Sequence, residues 1–189
     1  MIAGAKAERV TASSWESLVE RIIFTPLGMA TGGFGSAGTP GMVDPPWPHY
    51  ADGTPLQSNG PAADTPAMVG PAGSVHCSIG DWSKFVVDEL HGMEGRAARL
   101  PPGFYAQLFA PPFGGNHACG WLVLTREWGG GTVFSHAGSD TRNFALAWLA
   151  PRRDLAVLAC TNQGGPDAEH ACHEAAVALI NYAVSRRPR

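Results

Sequence analysis

Short apolar runs separated by turn residues dominate the C-terminal part of the chain. Each run is long enough for one strand, and turn residues such as Gly138-Ser139-Asp140 and Pro151-Arg152-Arg153-Asp154 stand between the later runs. Apolar runs joined in this way are typical of hairpin-connected strands. The pattern predicts an antiparallel meander of four strands over residues 120–124, 132–134, 144–149 and 155–160.

Helical periodicity replaces this pattern near the N-terminus. A predicted apolar face at i, i+3, i+4 and i+7 consists of Trp15, Leu18, Val19 and Ile22. Ser13-x-x-Glu16 has the form of a capping box ahead of this face, and Gly28 is a helix stop signal behind it. Residues 1–10 resemble the tail of a helix that has no N-cap residue of its own.

Three more helices are predicted further along the chain. Ser78-x-x-Asp81 caps the first, Pro102 opens a short second helix that ends near Phe109, and Asp167 caps the last. The predicted inward faces are Trp82, Phe85, Val86 and Leu90 in the first of these helices, and Cys172, Ala175, Ala176, Leu179 and Tyr182 or Ala183 in the last.

The order of these elements predicts an α+β fold, with an antiparallel sheet flanked by helices and a lobe rich in helices and loops. Residues 30–75 contain many glycines and prolines and no apolar period, so we expect one long ordered loop there. We predict a helical and long-loop lobe at residues 1–110. Residues 111–189 hold the sheet strands and the C-terminal helix, and the two parts together form one incomplete domain.

Composition narrows the classes of partner. The 189 residues are 44% hydrophobic and 15% charged, with a net charge of −3 and no cluster of lysine or arginine. Nucleic-acid binding needs a basic surface, so it is not expected. No apolar run approaches the ~18 residues of a membrane span. Residues 1–10 contain no signal-peptide core, and the cellular compartment stays open.

No cofactor or metal is expected either. The four cysteines are 42, 41 and 12 residues apart, which does not match the CxxC spacing of zinc sites. His117-Ala-Cys119 and His170-Ala-Cys172-His173 are better explained as a buried free thiol on one element and helix-face polar residues on another than as metal ligands. Residues 33–38 fit GxGxxG, but no strand precedes them and proline follows where a helix should begin.

Several short motifs resemble the superfamily of serine β-lactamases, penicillin-binding proteins and esterases, in its class C-like branch. The motifs are Phe24–Met29 (FTPLGM), Pro71–Ser74 (PAGS), Gly80–Phe85 (GDWSKF), Gly120-Trp121 and His136-Ala137-Gly138, in the order found in that family. Penicillin-recognising members carry Lys-Thr-Gly at the last position. The His-x-Gly form resembles esterase and aminopeptidase relatives instead.

The chain departs from this family in its catalytic motifs. No serine is followed by lysine three residues later, and Tyr-x-Asn and Ser-x-Asn are both absent from the sequence. In the family both motifs precede the Pro-Leu-Gly-Met segment. The resemblance therefore implies the C-terminal part of a serine hydrolase that acts by acyl transfer and is inactive alone. The alternative is a non-catalytic binding module, or pseudoenzyme, that keeps the cleft wall.

The resemblance also implies which residues meet the substrate. His136 helps bind or polarise it, and the N–H of Ser139, after Gly138, completes an oxyanion hole. Asp140, Arg142 and Asn143 are rim candidates, with ordinary turn roles as the alternative. The nucleophile and the base are not among these residues. The implied substrate is a small ester, amide or peptide, and the incomplete sheet implies an exposed edge through which the chain self-associates.

Overall fold

A computed structural model describes residues 1–35, 38, 46–56 and 66–186. The centre of the fold is an antiparallel sheet of four strands, in which each strand pairs with the next one along the chain. The strands are β3 (Leu122–Arg126), β4 (Gly131–Ser139), β5 (Phe144–Ala150) and β6 (Leu155–Thr161). The predicted meander is confirmed, but β4 extends five residues beyond the predicted run, because Ser135–Ser139 continue to pair with β5.

Helices cover both faces of this sheet, which confirms the predicted α+β fold. On one face, α7 (Pro166–Arg186) buries Cys172, Ala176 and Ile180 against β5 and β6. On the other face lie α5 (Ile79–Met93) and α6 (Pro102–Leu108). Their core side chains, together with those of the strands beneath them, are Val86, Leu90, Tyr105, Phe109, Phe134, Ala147 and Leu149.

The inward face of α7 differs from the prediction. The buried residues recur every fourth position, whereas Ala175 is exposed and the exposed fractions of Leu179 and Tyr182 are 48% and 57%. Small side chains at Cys172 and Ala176 let the helix lie close to the sheet, whereas Leu179 and Tyr182 are turned outward. The helix also begins at Pro166, so Asp167 lies in its first turn and is not the cap.

The N-terminal helices correct two further predictions. The chain forms α1 (Ile2–Thr11), α2 (Trp15–Val19), a π-helical turn (Glu20–Phe24) and α3 (Thr25–Leu27). The cap of α2 is Ser14, not Ser13, because its side chain accepts a hydrogen bond from the N–H of Ser17. The π-helical turn shifts the helical phase, so Phe24 is buried and Ile22 is 40% exposed. Gly28 ends α3 with φ +64° as predicted.

The predicted long loop contains regular structure. A second sheet pairs β1 (Gly33–Phe34) with β2 (Val75–His76), so the chain has more than the four predicted strands. The short helix α4 (Gly70–Gly73) precedes β2. The GxGxxG-like stretch begins within β1, and its residues 36 and 37 lie outside the described part of the chain.

Candidate functional site

The end of β4 is where the sheet offers an open edge beside polar residues. Strand β3 pairs only with Gly131–Ser135, whereas β5 pairs with β4 as far as Ser139. Within the described residues, His136–Ser139 therefore have a strand on one side only. Since N–H and C=O groups alternate between the two sides of an antiparallel strand, part of this main chain faces outward and is available to a ligand.

His136 stands at the start of this open edge. Its exposed ring is hydrogen-bonded through Nδ1 to the carbonyl oxygen of Gly120. The ring of Trp121 lies edge-on to it, with centroids 6.1 Å apart. A carbonyl oxygen only accepts hydrogen bonds, so Nδ1 carries the proton in this contact. The other nitrogen, Nε2, is then left for a ligand.

Gly138 keeps the space beside Nε2 open. A Cβ atom built on Gly138 would lie 3.9 Å from Nε2 of His136. Both features therefore share one face of the strand, and a side chain at position 138 would occupy the place where a ligand could contact the backbone and the imidazole together. The sequence predicted these two residues as neighbours in a site, and the structure places them on one face of β4. Their contact with a substrate stays a prediction.

The hydroxyl of Ser139 is used within the turn. Its Oγ donates to the carbonyl oxygen of Asn143 at 2.9 Å and accepts from the N–H of Thr141 at 3.1 Å. A hydroxyl held by two main-chain partners has no adjacent base to activate it. Ser139 is therefore suited to contribute its main chain and not a nucleophile.

The three rim candidates contact one another. Asp140 Oδ1 accepts from the N–H groups of Arg142 and Asn143 at 3.0 Å and 2.7 Å. Asp140 Oδ2 lies 3.0 Å from Nδ2 of Asn143 and 3.6 Å from Nη2 of Arg142, whose side chain is buried. These contacts are those of an Asx turn, which sets the path of the chain between β4 and β5. A substrate contact by these residues stays a prediction.

Sequence reasoning missed the segment that supports this turn. Residues 46–56 cross the ends of β5 and β6, and the N–H of His49 lies 3.2 Å from the carbonyl oxygen of Arg142 and 2.7 Å from that of Asn162. Asn162 in turn donates through Nδ2 to the carbonyl oxygen of Trp47 at 2.8 Å. Only contacts between residues more than 90 positions apart reveal this arrangement, because no local pattern in the sequence encodes it.

Close backbone packing completes the support. Gly164 is buried after β6, and its N–H donates to the carbonyl oxygen of His49 at 3.0 Å. A Cβ on Gly164 would lie 1.8 Å from the carbonyl oxygen of Thr141. The adjacent glycines Gly164-Gly165, four residues after the apolar run that ends at Cys160, were the available sequence signal for such a close approach.

Three titratable groups with strongly perturbed pKa values lie among the helices. The Lys84 ammonium and the hydroxyl and N–H of Thr31 lower the pKa of Asp81 to about 2. Burial, and then the neighbouring Asp88, raises the pKa of Glu89 to about 7. Burial and a hydrogen bond to Asp88 raise the pKa of Tyr105 to about 12. None of the three is a residue of the open edge.

Candidate metal clusters and membrane spans are both absent from the described part of the chain. Within it, no three His, Cys, Asp or Glu side chains are grouped so that they could hold a metal ion. None of its helices has the length and apolar character needed to cross a bilayer.

Known proteins resemble this chain in sequence profile and in fold. The β-lactamase family model matches residues 1–182. An octameric penicillin-binding protein homologue from Pyrococcus abyssi superposes with a TM-score of 0.69 and 17% identity, over 94% of this chain and 40% of that one. A protein named SurE superposes with a TM-score of 0.69 and 19% identity, over 96% and 43% of the two chains. No curated protein matches the sequence.

The structural matches and the family match support different conclusions. At identities of 17% and 19%, the two solved structures show the fold alone. This chain spans less than half the length of either protein. The family match, by contrast, covers nearly every residue from α1 to the last turns of α7.

Proposed function

The chain belongs to the β-lactamase family, and we propose that it forms the His-x-Gly wall of a serine-hydrolase cleft that acts by acyl transfer on an ester, amide or lactam. One observation carries this proposal. Nε2 of His136 and the open backbone of Gly138 lie on one face of a strand segment that, among the described residues, pairs on one side only.

The chemistry of acyl transfer suits this wall. A tetrahedral intermediate places negative charge on the former carbonyl oxygen, and main-chain N–H groups aimed at that oxygen are each worth roughly 2.7–4 kcal/mol. The outward main chain near Ser139 can supply one such donor. His136 adds a side chain that can exchange a proton with the reacting group.

The chain does not itself carry the nucleophile in this proposal. It contains no Ser-x-x-Lys and no Tyr-x-Asn, and the hydroxyl of Ser139 is held by its own turn. The purified chain should therefore not react with a fluorophosphonate or a fluorescent penicillin. Stoichiometric labelling of any serine, located by peptide mass spectrometry, would contradict the proposal that this chain does not carry the nucleophile.

The role of His136 is tested in a protein that joins this chain to segments with Ser-x-x-Lys and Tyr-x-Asn. There, His136→Ala should lower kcat/KM by ~10²-fold, the scale of one lost acid–base or electrostatic contact. His170→Ala, on the exposed side of α7, is the matched control and should change neither turnover nor stability. If His136→Ala unfolds the protein while the folded fraction turns over normally, His136 is structural.

A binding module without chemistry is the second candidate. The observation that favours it is the absence of both catalytic motifs from a chain that still builds the wall. Its signature is saturable binding of small acyl ligands at His136 in a genome with no in-frame coding segment for those motifs upstream. If the upstream DNA encodes both motifs in frame, the hydrolase proposal is favoured.

We also propose that the free edge of β6 pairs with a second copy of the chain. Within the described residues, β6 pairs with β5 alone. A groove of about 570 Å³ follows the edge and is lined in part by Ile79, Leu158, Cys160, Ala171, Ala175 and Leu179. Residues 155–161 contain no charged side chain. Two copies can therefore pair antiparallel about a twofold axis without opposing like charges.

A further inference from the structure

The turn before β3 holds the His136 ring from two directions. The carbonyl oxygen of Gly120 accepts a hydrogen bond from Nδ1, and the Trp121 ring stands at 72° to the imidazole plane. Together these contacts restrict the rotation of the ring. They also place the proton on Nδ1, because a carbonyl oxygen has no proton to donate.

The same turn is built so that this carbonyl faces the ring. Gly120 has φ +82°, a left-handed conformation that residues with a Cβ rarely adopt. Main-chain hydrogen bonds hold the flanking residues, from Ala118 to Trp121 at 2.8 Å and from Val123 to Asn116 at 2.7 Å. Among the described residues, and apart from its two chain neighbours, no heavy atom lies within 4 Å of a Cβ built on Gly120. The requirement for glycine there is therefore conformational and not steric.

We infer that Gly120 and Trp121 are positioning residues that hold neutral His136 as the Nδ1–H tautomer, so that Nε2 beside Gly138 accepts a hydrogen bond or a proton from a ligand N–H or O–H group. When an O–H group gives its proton to Nε2, the O–H bond breaks, an N–H bond forms and the electron pair stays on oxygen. The resulting imidazolium still donates through Nδ1 to Gly120, as a stronger, charge-assisted hydrogen bond.

This assignment selects the chemistry of the ligand. A carbonyl or carboxylate oxygen would face the lone pair of neutral Nε2, and two acceptors do not bind each other. An amide N–H, an ammonium group or a hydroxyl is complementary instead. The ligand class rests on the proposed function, whereas the tautomer is a property of the chain and does not depend on turnover.

Nitrogen-15 NMR of the full 189-residue chain, with labelled imidazole rings, tests the tautomer directly. The His136 signals, assigned by their loss in His136→Gln, should show a protonated Nδ1 and an unprotonated Nε2 at the high-pH plateau. Free histidine prefers the opposite tautomer, so the two cases are distinct. A protonated Nε2 at this plateau would overturn the inference.

Two variants test the positioning groups. Gly120→Ala should move the tautomer ratio toward Nε2–H by about fivefold, the effect of one ordinary hydrogen bond. Trp121→Ala should shift it in the same direction, and Trp121→Phe should restore it. Gly103→Ala, in α6 and with open space at the Cβ position, should leave the ratio unchanged. A folded Gly120→Ala or Trp121→Ala chain with an unaltered ratio would overturn that residue's positioning role.

Two small probes separate this inference from the proposed function. With the ring neutral, N-methylacetamide, which has an N–H donor, should shift the Nε2 signal, whereas acetate should not. The reverse order would overturn the inferred ligand chemistry. If neither probe shifts Nε2 while the tautomer is Nδ1–H, the ligand-binding wall is wrong and the positioning by Gly120 and Trp121 stands.

Discussion

The end of the sheet that carries His136, here called the site end, and the free edge of β6 differ in how they are covered by the rest of the chain. At the site end, the turn after β4 is held by Asp140, by the segment 46–56 and by the close approach of Gly164. At the β6 edge, a seven-residue strand without charge borders an open groove. The exposed fractions of Ile79 and Leu179, on its two walls, are 49% and 48%.

The two regions differ in whether their main-chain groups find hydrogen-bond partners within the chain. Buried main-chain groups at the site end find partners within the chain, which is what an ordered binding loop requires. Native proteins blunt a free edge with charges, short strands or covering loops. The β3 edge has some of these features, with Thr125 and Arg126 exposed and a bridge from His117 to Leu122. The β6 edge lacks a charge, which favours a partner there.

The largest expected effect is a break in the site end. Gly164→Ala would place a Cβ 1.8 Å from the carbonyl oxygen of Thr141, so the two backbones must separate. We expect the free energy of unfolding to fall by about 3 kcal/mol, at the upper end of overpacking costs. Chemical denaturation measures this value. Gly103→Ala, with open space around its Cβ, should be neutral or slightly stabilising.

Glu89 tests the helical layer that carries one wall of the β6 groove. Its pKa of about 7 in the folded chain lies above the ordinary value of 4.5. Below pH 4.5 Glu89 is protonated in both the folded and the unfolded chain, and no stability is lost. Stability falls between pH 4.5 and 7, and the loss is complete above pH 7. Glu89→Gln should therefore stabilise the chain by about 2–3 kcal/mol at pH 8 and by little at pH 4.

An equal stabilisation by Glu89→Gln at both pH values would show that ionisation of Glu89 does not destabilise the folded chain. Glu16→Gln is the control, since Glu16 is an exposed residue of α2 and its neutralisation should have little effect on stability at either pH.

Matched lysines on the two sheet edges test the proposed self-association. Cys160→Lys places a charge on the β6 edge and should weaken association at least ~10-fold, because pairing two copies would bury two like charges. Thr125→Lys places the same charge on β3 and should leave association unchanged. Analytical ultracentrifugation measures both. A monomeric parent chain, or equal effects of the two lysines, would remove β6 as the interface.

The smallest effect concerns Asp81, which joins the residues after α3 to α5. Its carboxylate accepts from the N–H and hydroxyl of Thr31, each at 2.6 Å, and pairs with Lys84. The folded pKa of about 2 lies below the ordinary 3.8. The stabilisation is thus present above pH 3.8 and is lost as the pH falls toward 2. Asp81→Asn should lower the melting temperature at pH 7.

The difference between Asp81→Asn and the parent chain should narrow as the pH falls to 2. Asp52→Asn is a useful comparison, because Asp52 caps only its own exposed turn through the N–H of Thr54. A difference at Asp81 that does not depend on pH would show that the contact acts through shape and not through charge.

The sequence by itself determined the four strands of the main sheet and most of the longer helices. The apolar runs predicted all four strands of the main sheet, and Ser78 and Pro102 marked the starts of α5 and α6 within one residue. The His-x-Gly spacing also predicted that His136 and Gly138 share a site, which stays a prediction. Local spacing is sufficient for such predictions, because turn residues, helix caps and strand alternation act over a few residues.

Only the tertiary structure decided which groups are presented. The π-helical turn buries Phe24 and leaves Ile22 partly exposed. Close packing of α7 on the sheet turns Leu179 outward. The supporting segment around His49, and the carbonyl of Gly120 that selects the tautomer of His136, depend on contacts between distant residues. Such contacts depend on how the layers pack, and local periodicity carries no information about them.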